Sequence, residues 1–279
     1  MEKKYKMIPE GDMYRIVALK DFANLKKGDK GGLIKKEENL SHDYDCWVYH
    51  NAMVFDDARI FGDAKVCGNA RIFGDAKVCG NARIFDDAEV CGNAEVCGDV
   101  KIFGDARIFG DVKIFGDAKV FRNAKVSGNA RIFDDAEVFD DAEVFDDARI
   151  FGNAKVFRNA KVFRNARIFG NAKVSGNARI FDDAEVFDDA EVFGDTDVCG
   201  RAWICGDAIV EKTSDYIVFK NWWSSGRYFT WTRSNDKWKV GCFYGTGKEL
   251  IAKAYNDNVT SGREYERIVN YVEQIKNKI

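Results

Sequence analysis

Proline occurs once in 279 residues, at Pro9, and histidine twice, at His42 and His50. A proline removes the amide hydrogen that a β ladder needs, so beyond residue 9 backbone pairing meets no interruption of that kind. Two histidines, both near the N-terminus, leave few candidates for a histidine general base. No run approaches the roughly 18 apolar residues of a membrane-spanning helix, and Met1-Glu2-Lys3-Lys4 leads into no apolar signal core. A dominant charge is missing too: 43 Lys and Arg stand against 46 Asp and Glu, a formal net charge of -3. That balance gives no electrostatic reason to expect nucleic acid and disfavours a mimic of it. The chain reads as soluble and cytoplasmic, with no membrane partner, cofactor or metal.

What is present is a short period. From Asn51 to Val210 hexapeptides follow one another without insertion or deletion, each like Ile60-Phe61-Gly62-Asp63-Ala64-Lys65. An uninterrupted repeat of this kind specifies a solenoid, because one unit cannot bury its apolar residues without stacking on the next. Side chains alternate along Ala-Lys-Val-Phe, so Ala and the aliphatic residue point one way and the charge and Phe the other. The charge belongs in water, which puts Ala and Val or Ile inside. The slot before Ala is Asp or Asn except at Arg201, types that tolerate a left-handed corner, and Gly usually precedes it and eases the same bend.

Three strand-and-corner hexads close a triangle of 18 residues. Nine such coils at about 4.8 Å each make a rod about 43 Å long. Charges agree with this coil: Arg122, Asp140 and Arg158 are spaced by 18, as are Asp146, Arg164 and Asp182, and Glu137 falls between Lys119 and Lys155. The expected organisation is an N-terminal cap over 1–45, the coils over 46–210 and a tail over 211–279.

This pattern resembles the left-handed parallel β-helix of hexapeptide-repeat proteins, whose best-known members are trimeric acyltransferases. The left-hand turn is implied by the resemblance. The cap segments "ALKDFANLKKGDKGG" and "ENLSHDYDCWVYHNA" resemble those of uncharacterised bacterial hexapeptide-repeat proteins, sometimes labelled transferases on fold alone. The acyltransferases use a His in a cleft between subunits and often a projecting loop. Here no loop interrupts the repeats, and His42 and His50 are weak catalytic candidates that read more simply as surface residues, His50 the better placed because it is next to a corner.

The run "SGNARIFDDAEVFDDAEVF" at Ser127 recurs at Ser175, a shift of 48 residues that is not a whole number of coils. The copied block lands on different sides of the triangle, so length and period matter more than the identity of one face. Most of the 22 Phe residues fill the slot after the aliphatic one. Stacked along each side they cover one another and stiffen the rod, or else they form an adhesive surface through which copies associate as dimers or trimers. Acidic runs such as Asp134, Asp135, Glu137 and Asp140 have basic neighbours one coil away and read as solvated charge rather than a cation site. Most of the eight cysteines, including Cys67, Cys79, Cys91, Cys97, Cys199 and Cys205, sit in the Phe slot as small substitutes expected to stay reduced. Cys79 and Cys97 stand one coil apart, within reach of a disulfide under oxidising conditions.

The tail differs in kind. Three strand-like runs, "DYIVFK", "RYFTWTR" and "KWKVGCFYG", precede two helices opened by capping boxes at Thr246 with Glu249 and Ser261 with Glu264. A small α+β domain with both helices on one face of a three-stranded sheet follows. "GCFYGTGKE" lacks the spacing of a phosphate-binding loop and reads as a turn, and Cys242 has no His in the tail to activate it. Trp222, Trp223, Arg227, Tyr228, Trp231 and Arg233 form the best binding candidate, a stacking surface for a base, a sugar or a peptide.

The reading that follows is a non-enzymatic scaffold in which a rigid β-helix presents an aromatic C-terminal module to a protein partner. A phage or bacterial conflict protein that sequesters a host factor is one version of it. The alternative is a hexapeptide-family transferase acting on a sugar or nucleotide at a subunit interface.

Overall fold

The computed structural model describes residues 2–278. Its compact units are residues 1–158 and 159–279, a division inside the repeats. Both contain the same coil. Each hexad supplies a strand of two to four residues, such as Arg59–Ile60, Lys77–Cys79 and Lys113–Gly116. Strands pair in parallel at a register of 18: Arg59 with Lys77 in the first unit, Arg167 with Glu185 in the second. The fold is a mainly β parallel solenoid with a small sheet and two helices at its C-terminal end.

The inward residues close the interior: Ala and the following Val or Ile are fully buried coil after coil, as at Ala70, Ile72, Ala76 and Val78. Burying such an aliphatic side chain contributes roughly 1.5–3 kcal/mol. Amides at the outward-facing positions point toward the following coil, Arg59 N donating to Ala76 O at 2.9 Å and Phe61 N to Val78 O at 3.0 Å. A first coil therefore has carbonyls, and a last coil amides, with no coil to meet them.

The corners differ from expectation by one residue. Left-handed backbone falls two places before Ala, at Gly62 (φ +68°), Asp86 (+62°), Arg122 (+61°) and Asp140 (+59°), not in the Asp or Asn slot. Gly68 shows why glycine leads there: a Cβ would lie 2.7 Å from the backbone N and O of Asp86 in the next coil. The Asn or Asp slot instead builds ladders up the corners, Asn69 Nδ2 donating to Asp87 Oδ1 at 2.9 Å and Asn171 to Asp189 at 2.9 Å. Where Asp replaces Gly, its carboxylate accepts an amide one coil on, as Asp86 does from Gly104 at 3.1 Å.

The charge columns form as spaced: Glu137 lies 2.7 Å from Lys119 and 3.1 Å from Lys155, Arg122 pairs with Asp140, and Arg164 with Asp182. Exposed pairs of this kind are worth about 0–1 kcal/mol each.

Phe85, Phe103, Phe121, Phe139 and Phe157 stack with centroids 4.8–4.9 Å apart and planes within 4°. These rings are half-buried, whereas Phe61 and Phe109 are 39% and 44% exposed. The difference follows from the ladder: Phe109 stands between Cys91 and Ser127, and Phe61 beside Cys79, so each lacks a large neighbour. The columns cover themselves where they are continuous.

Cys79 and Cys97 are joined by a disulfide, Cα atoms 4.6 Å apart, which corrects the expectation that they stay reduced. Parallel pairing puts them directly opposite, in register. The other six cysteines are free.

In the first unit an antiparallel hairpin, Tyr5–Glu10 with Met13–Ala18, leads to the strand Lys30–Ile34, which pairs in parallel with Met53–Val54 of the first coil. The cap supplies donors to the open carbonyls: Leu33 N to Ala52 O at 2.9 Å, Ser41 N to Ile60 O at 2.9 Å, and the buried Asn39 Nδ2 to Ala58 O at 2.8 Å. Lys4, 1% exposed, ties the chain below with its ammonium 2.9 Å from Cys46 O and 3.1 Å from Tyr44 O.

In the second unit the tail supplies acceptors to the open amides of the last coil. Trp203 N donates to Thr230 Oγ1 at 2.9 Å, Ile209 N to Ser234 Oγ at 2.7 Å, and Cys199 N to the Tyr216 hydroxyl at 3.4 Å. The Tyr216 hydroxyl in turn donates to Asp197 O at 2.9 Å, and burial pushes it up to about 12.

The tail sheet has four antiparallel strands, not three: Tyr216–Lys220, Tyr228–Thr232, Lys237–Val240 and Phe243–Gly245. "KWKVGCFYG" folds back on itself because Gly241 takes φ +55° and, with Cys242, makes a two-residue turn between the paired Val240 and Phe243. Helix α1 (Gly247–Asp257) carries the expected Thr246 and Glu249 box. Helix α2 (Val259–Ile275) starts earlier than expected, capped by Asn258, whose side chain accepts from Ser261 N at 2.8 Å. Phe229, Trp231, Trp238, Leu250, Tyr265, Val269 and Val272 form the core between sheet and helices.

Candidate functional site

The six residues singled out in the tail do not share one surface. Trp231 is fully buried in the core, its Nε1 donating to Asp236 Oδ1 at 2.8 Å. Burial works against the Asp236 carboxylate, yet hydrogen bonds from Lys276 and Trp231 hold it below its usual range. Arg233 is half-buried, with its backbone N bonded to Asp215 O at 2.7 Å and its guanidinium 3.9 Å from the same residue. Tyr228 is half-buried between two cations, Arg201 at 5.2 Å and Lys220 at 5.8 Å from its ring centroid. The expected stacking surface is broken up because both faces of the tail sheet are covered. One face packs on the helices, and the other sends the Thr230 hydroxyl to the last coil.

Trp222, Trp223 and Arg227 remain together, on the loop joining the first two tail strands. Asn221, 6% exposed, fixes that loop with all its polar groups. Its N donates to Arg227 O at 2.8 Å, its O accepts from Gly226 N at 2.7 Å, its Oδ1 from Ser224 N at 3.0 Å, and its Nδ2 donates to the Tyr265 hydroxyl at 3.0 Å. Trp223 packs edge-on against Tyr265 at 4.9 Å and Phe229 at 6.2 Å, and its buried Nε1 has no partner. Trp222 lies perpendicular to Trp223 at 5.8 Å and is 70% exposed. Holding a large aromatic in water costs hydrophobic free energy, and the rigid loop lowers the entropy lost when something covers it.

Beside the loop is a cavity of about 200 Å³ whose lining includes Asn221, Ser225, Arg227, Tyr228, Cys242 and Tyr265. A larger groove of about 710 Å³ lies in the first unit, lined by residues that include Glu38, His42, Asp43, Arg59, Phe61 and Lys77. His42 does not act there as a free base. Its Nδ1 accepts from Lys4 N at 3.1 Å, its Nε2 meets Glu37 Oε1 at 2.7 Å, and its ring stacks on Tyr5 at 4.2 Å. With both nitrogens engaged, neither is free to take a proton from a substrate. His50 is exposed at a corner with φ +51°, where it fills the slot usually given to Gly, and its carbonyl accepts from Arg15 at 2.8 Å.

No protein-family model matches the chain, and no curated protein matches it in sequence. Among solved structures it is similar to UDP-N-acetylglucosamine acyltransferase from Campylobacter jejuni, at 20% identity and a TM-score of 0.26. That match covers 52% of this chain and 66% of the other, just under two thirds of its length. The parallel solenoid is established by the backbone pairing described above, and nothing of that enzyme's activity passes to this chain.

The remaining sequence candidates resolve simply. Cys242 is exposed in the turn after Val240. The N-terminus of α1 is occupied by its own Glu249, whose Oε2 accepts from Thr246 N at 2.7 Å. Among the described residues no group of three or more His, Cys, Asp and Glu is placed to hold a metal, and no helix is long and apolar enough to cross a membrane. Sequence reasoning missed the buried Lys4 beside Cys46, 3.3 Å from its sulfur. Burial pulls the Lys4 ammonium down and pushes the Cys46 thiol up, so the pair is a structural tie rather than an activated nucleophile. It also missed Asn221, an ordinary polar residue in the sequence whose importance lies in four contacts that only the fold brings together.

Proposed function

We propose that the protein is a non-enzymatic scaffold or binding protein in which the solenoid carries the 221–227 loop and a protein partner docks on it. Trp222 carries this reading: it is 70% exposed while the adjoining Trp223 and Asn221 are anchored in the domain. Exposed tryptophans on rigid supports are the residues on which binding energy concentrates. The engaged nitrogens of His42 and the absence of a carboxylate partner for His50 among the described contacts weigh against a histidine-based transferase. Self-association through the Phe columns receives less support, because continuous columns cover their own rings.

The experiment uses the full chain. Removing the tail would strip the acceptors from Trp203 N and Ile209 N and confound loss of a partner with loss of the coil end. Captures from bacterial lysate by the intact protein and by Trp222→Ala, identified by mass spectrometry, should differ by one or a few proteins. Identical captures would reject the loop as the binding element.

A further inference from the structure

The geometry points to a binding pocket for a phosphoryl group beside the 221–227 loop, with the flat ring of the same small ligand, a nucleoside monophosphate, lying against Trp222. This rests on the loop being a binding element, and it adds a ligand class and a second contact. The cavity lined by Asn221, Ser225, Arg227, Tyr228, Cys242 and Tyr265 contains no carboxylate. Three other grooves do: Glu38 and Asp43 near the cap, Asp182 and Asp183 beside Arg201, and Asp87, Glu89 and Asp105 on the coils.

Its groups are donors. Arg227 is exposed and forms no ion pair among the described residues, unlike Arg201 and Arg233, which lie 3.6 and 3.9 Å from Asp183 and Asp215. The Tyr265 hydroxyl accepts from Asn221 Nδ2, which leaves its own hydrogen free to donate. Burial raises Tyr265 above its ordinary value, so that hydrogen is retained at neutral pH. Ser225 Oγ accepts from Arg227 N at 3.3 Å and likewise keeps its hydrogen for another acceptor. An unpaired guanidinium with two hydroxyls and no acid fits an oxyanion, and a phosphoryl group offers more acceptor sites than a carboxylate.

The size fixes the rest. About 200 Å³ is below the roughly 300–1,000 Å³ of pockets that enclose whole ligands. The cavity takes the charged group and leaves the remainder outside, where the loop offers the exposed Trp222. Base stacking on an aromatic ring is indifferent to which base it is. Local charge agrees: residues 211–279 hold twelve Lys and Arg against eight Asp and Glu, although the whole chain is net negative.

The test is calorimetric titration of the full chain with the four common nucleoside monophosphates, with adenosine and with inorganic phosphate, alongside Arg227→Ala, Arg227→Lys and Trp222→Ala. At least one monophosphate should bind ten-fold or more tighter than adenosine or phosphate alone. Arg227→Ala should lower that affinity ten-fold or more, with Arg227→Lys between the two and the melting temperature unchanged, since Arg227 is exposed and unpaired. Trp222→Ala should weaken the monophosphate and leave inorganic phosphate as it was. No binding of any monophosphate at millimolar concentration, affinity equal to that of adenosine, or indifference to Arg227→Ala would each overturn the pocket. Loss of the pocket would leave the protein capture by Trp222 standing, and unchanged capture by Trp222→Ala would leave an Arg227-dependent phosphate site standing.

Discussion

Replacing Thr230 by Val tests the role of the tail as the acceptor for the last coil. Thr230 is 1% exposed and its hydroxyl receives Trp203 N at 2.9 Å, so Val keeps the shape and deletes the acceptor. An unpaired buried amide costs about 1–3 kcal/mol, which lowers the melting temperature of a chain this size by roughly 2–10 °C. Ser234→Ala removes an acceptor from Ile209 N, but Ile209 is 47% exposed and water replaces the hydroxyl, so about 0–0.5 kcal/mol is expected. The two variants differ in burial, not in chemistry. Urea denaturation and hydrogen exchange at Trp203 and Ile209 measure both effects. Equal stabilities for Thr230→Val and the intact protein, with the Trp203 amide still protected, would refute the claim that tail hydroxyls complete the coil.

Phe121→Ala opens a gap between Phe103 and Phe139, rings at 4.8 Å on either side, and should cost about 1–3 kcal/mol by urea denaturation. Phe109→Ala, at an exposed ring without large neighbours, should cost under about 1 kcal/mol; equal costs would contradict the ladder account. Gly68→Ala puts a Cβ 2.7 Å from the Asp86 backbone at φ +73° and should destabilise by about 1–3 kcal/mol, whereas no loss in a thermal melt would show that the corner relaxes freely. Burial raises Glu137, but hydrogen bonds from Lys119 and Lys155 outweigh it and hold the carboxyl below its ordinary value. Its stabilising contribution is therefore present above the unfolded carboxyl pKa and fades as pH falls through the lower folded value. Glu137→Gln should lose stability at pH 7 and flatten the acid limb below about pH 5, and an unchanged limb would show that the column contributes nothing.

The coil was legible because its signals repeat: aliphatic and Ala positions recur every six residues, and the opposed charges at Arg122 and Asp140 mark 18. The corner was misplaced by one residue because Asp and Asn tolerate left-handed backbone, and only the close approach of Gly68 to Asp86 shows which slot needs it. The tail was harder. Nothing local distinguishes Trp231, buried against Asp236, from Trp222, left in water two strands' length of sequence earlier. Thr230 and Ser234 read as ordinary strand and turn residues, since their partners are amides of the last coil. Ser261 looked like the cap of α2 because a Glu follows three residues later, but Asn258 stands earlier and receives the Ser261 amide.

The most direct test of the account is the affinity of the captured partner for the full-length protein and for Trp222→Ala, measured by titration with matched melting temperatures. A loss of about 30-fold or more, corresponding to a hot-spot contribution of about 2 kcal/mol, is the expected result. An affinity unchanged by Trp222→Ala would contradict the assignment of the 221–227 loop as the site at which this protein binds.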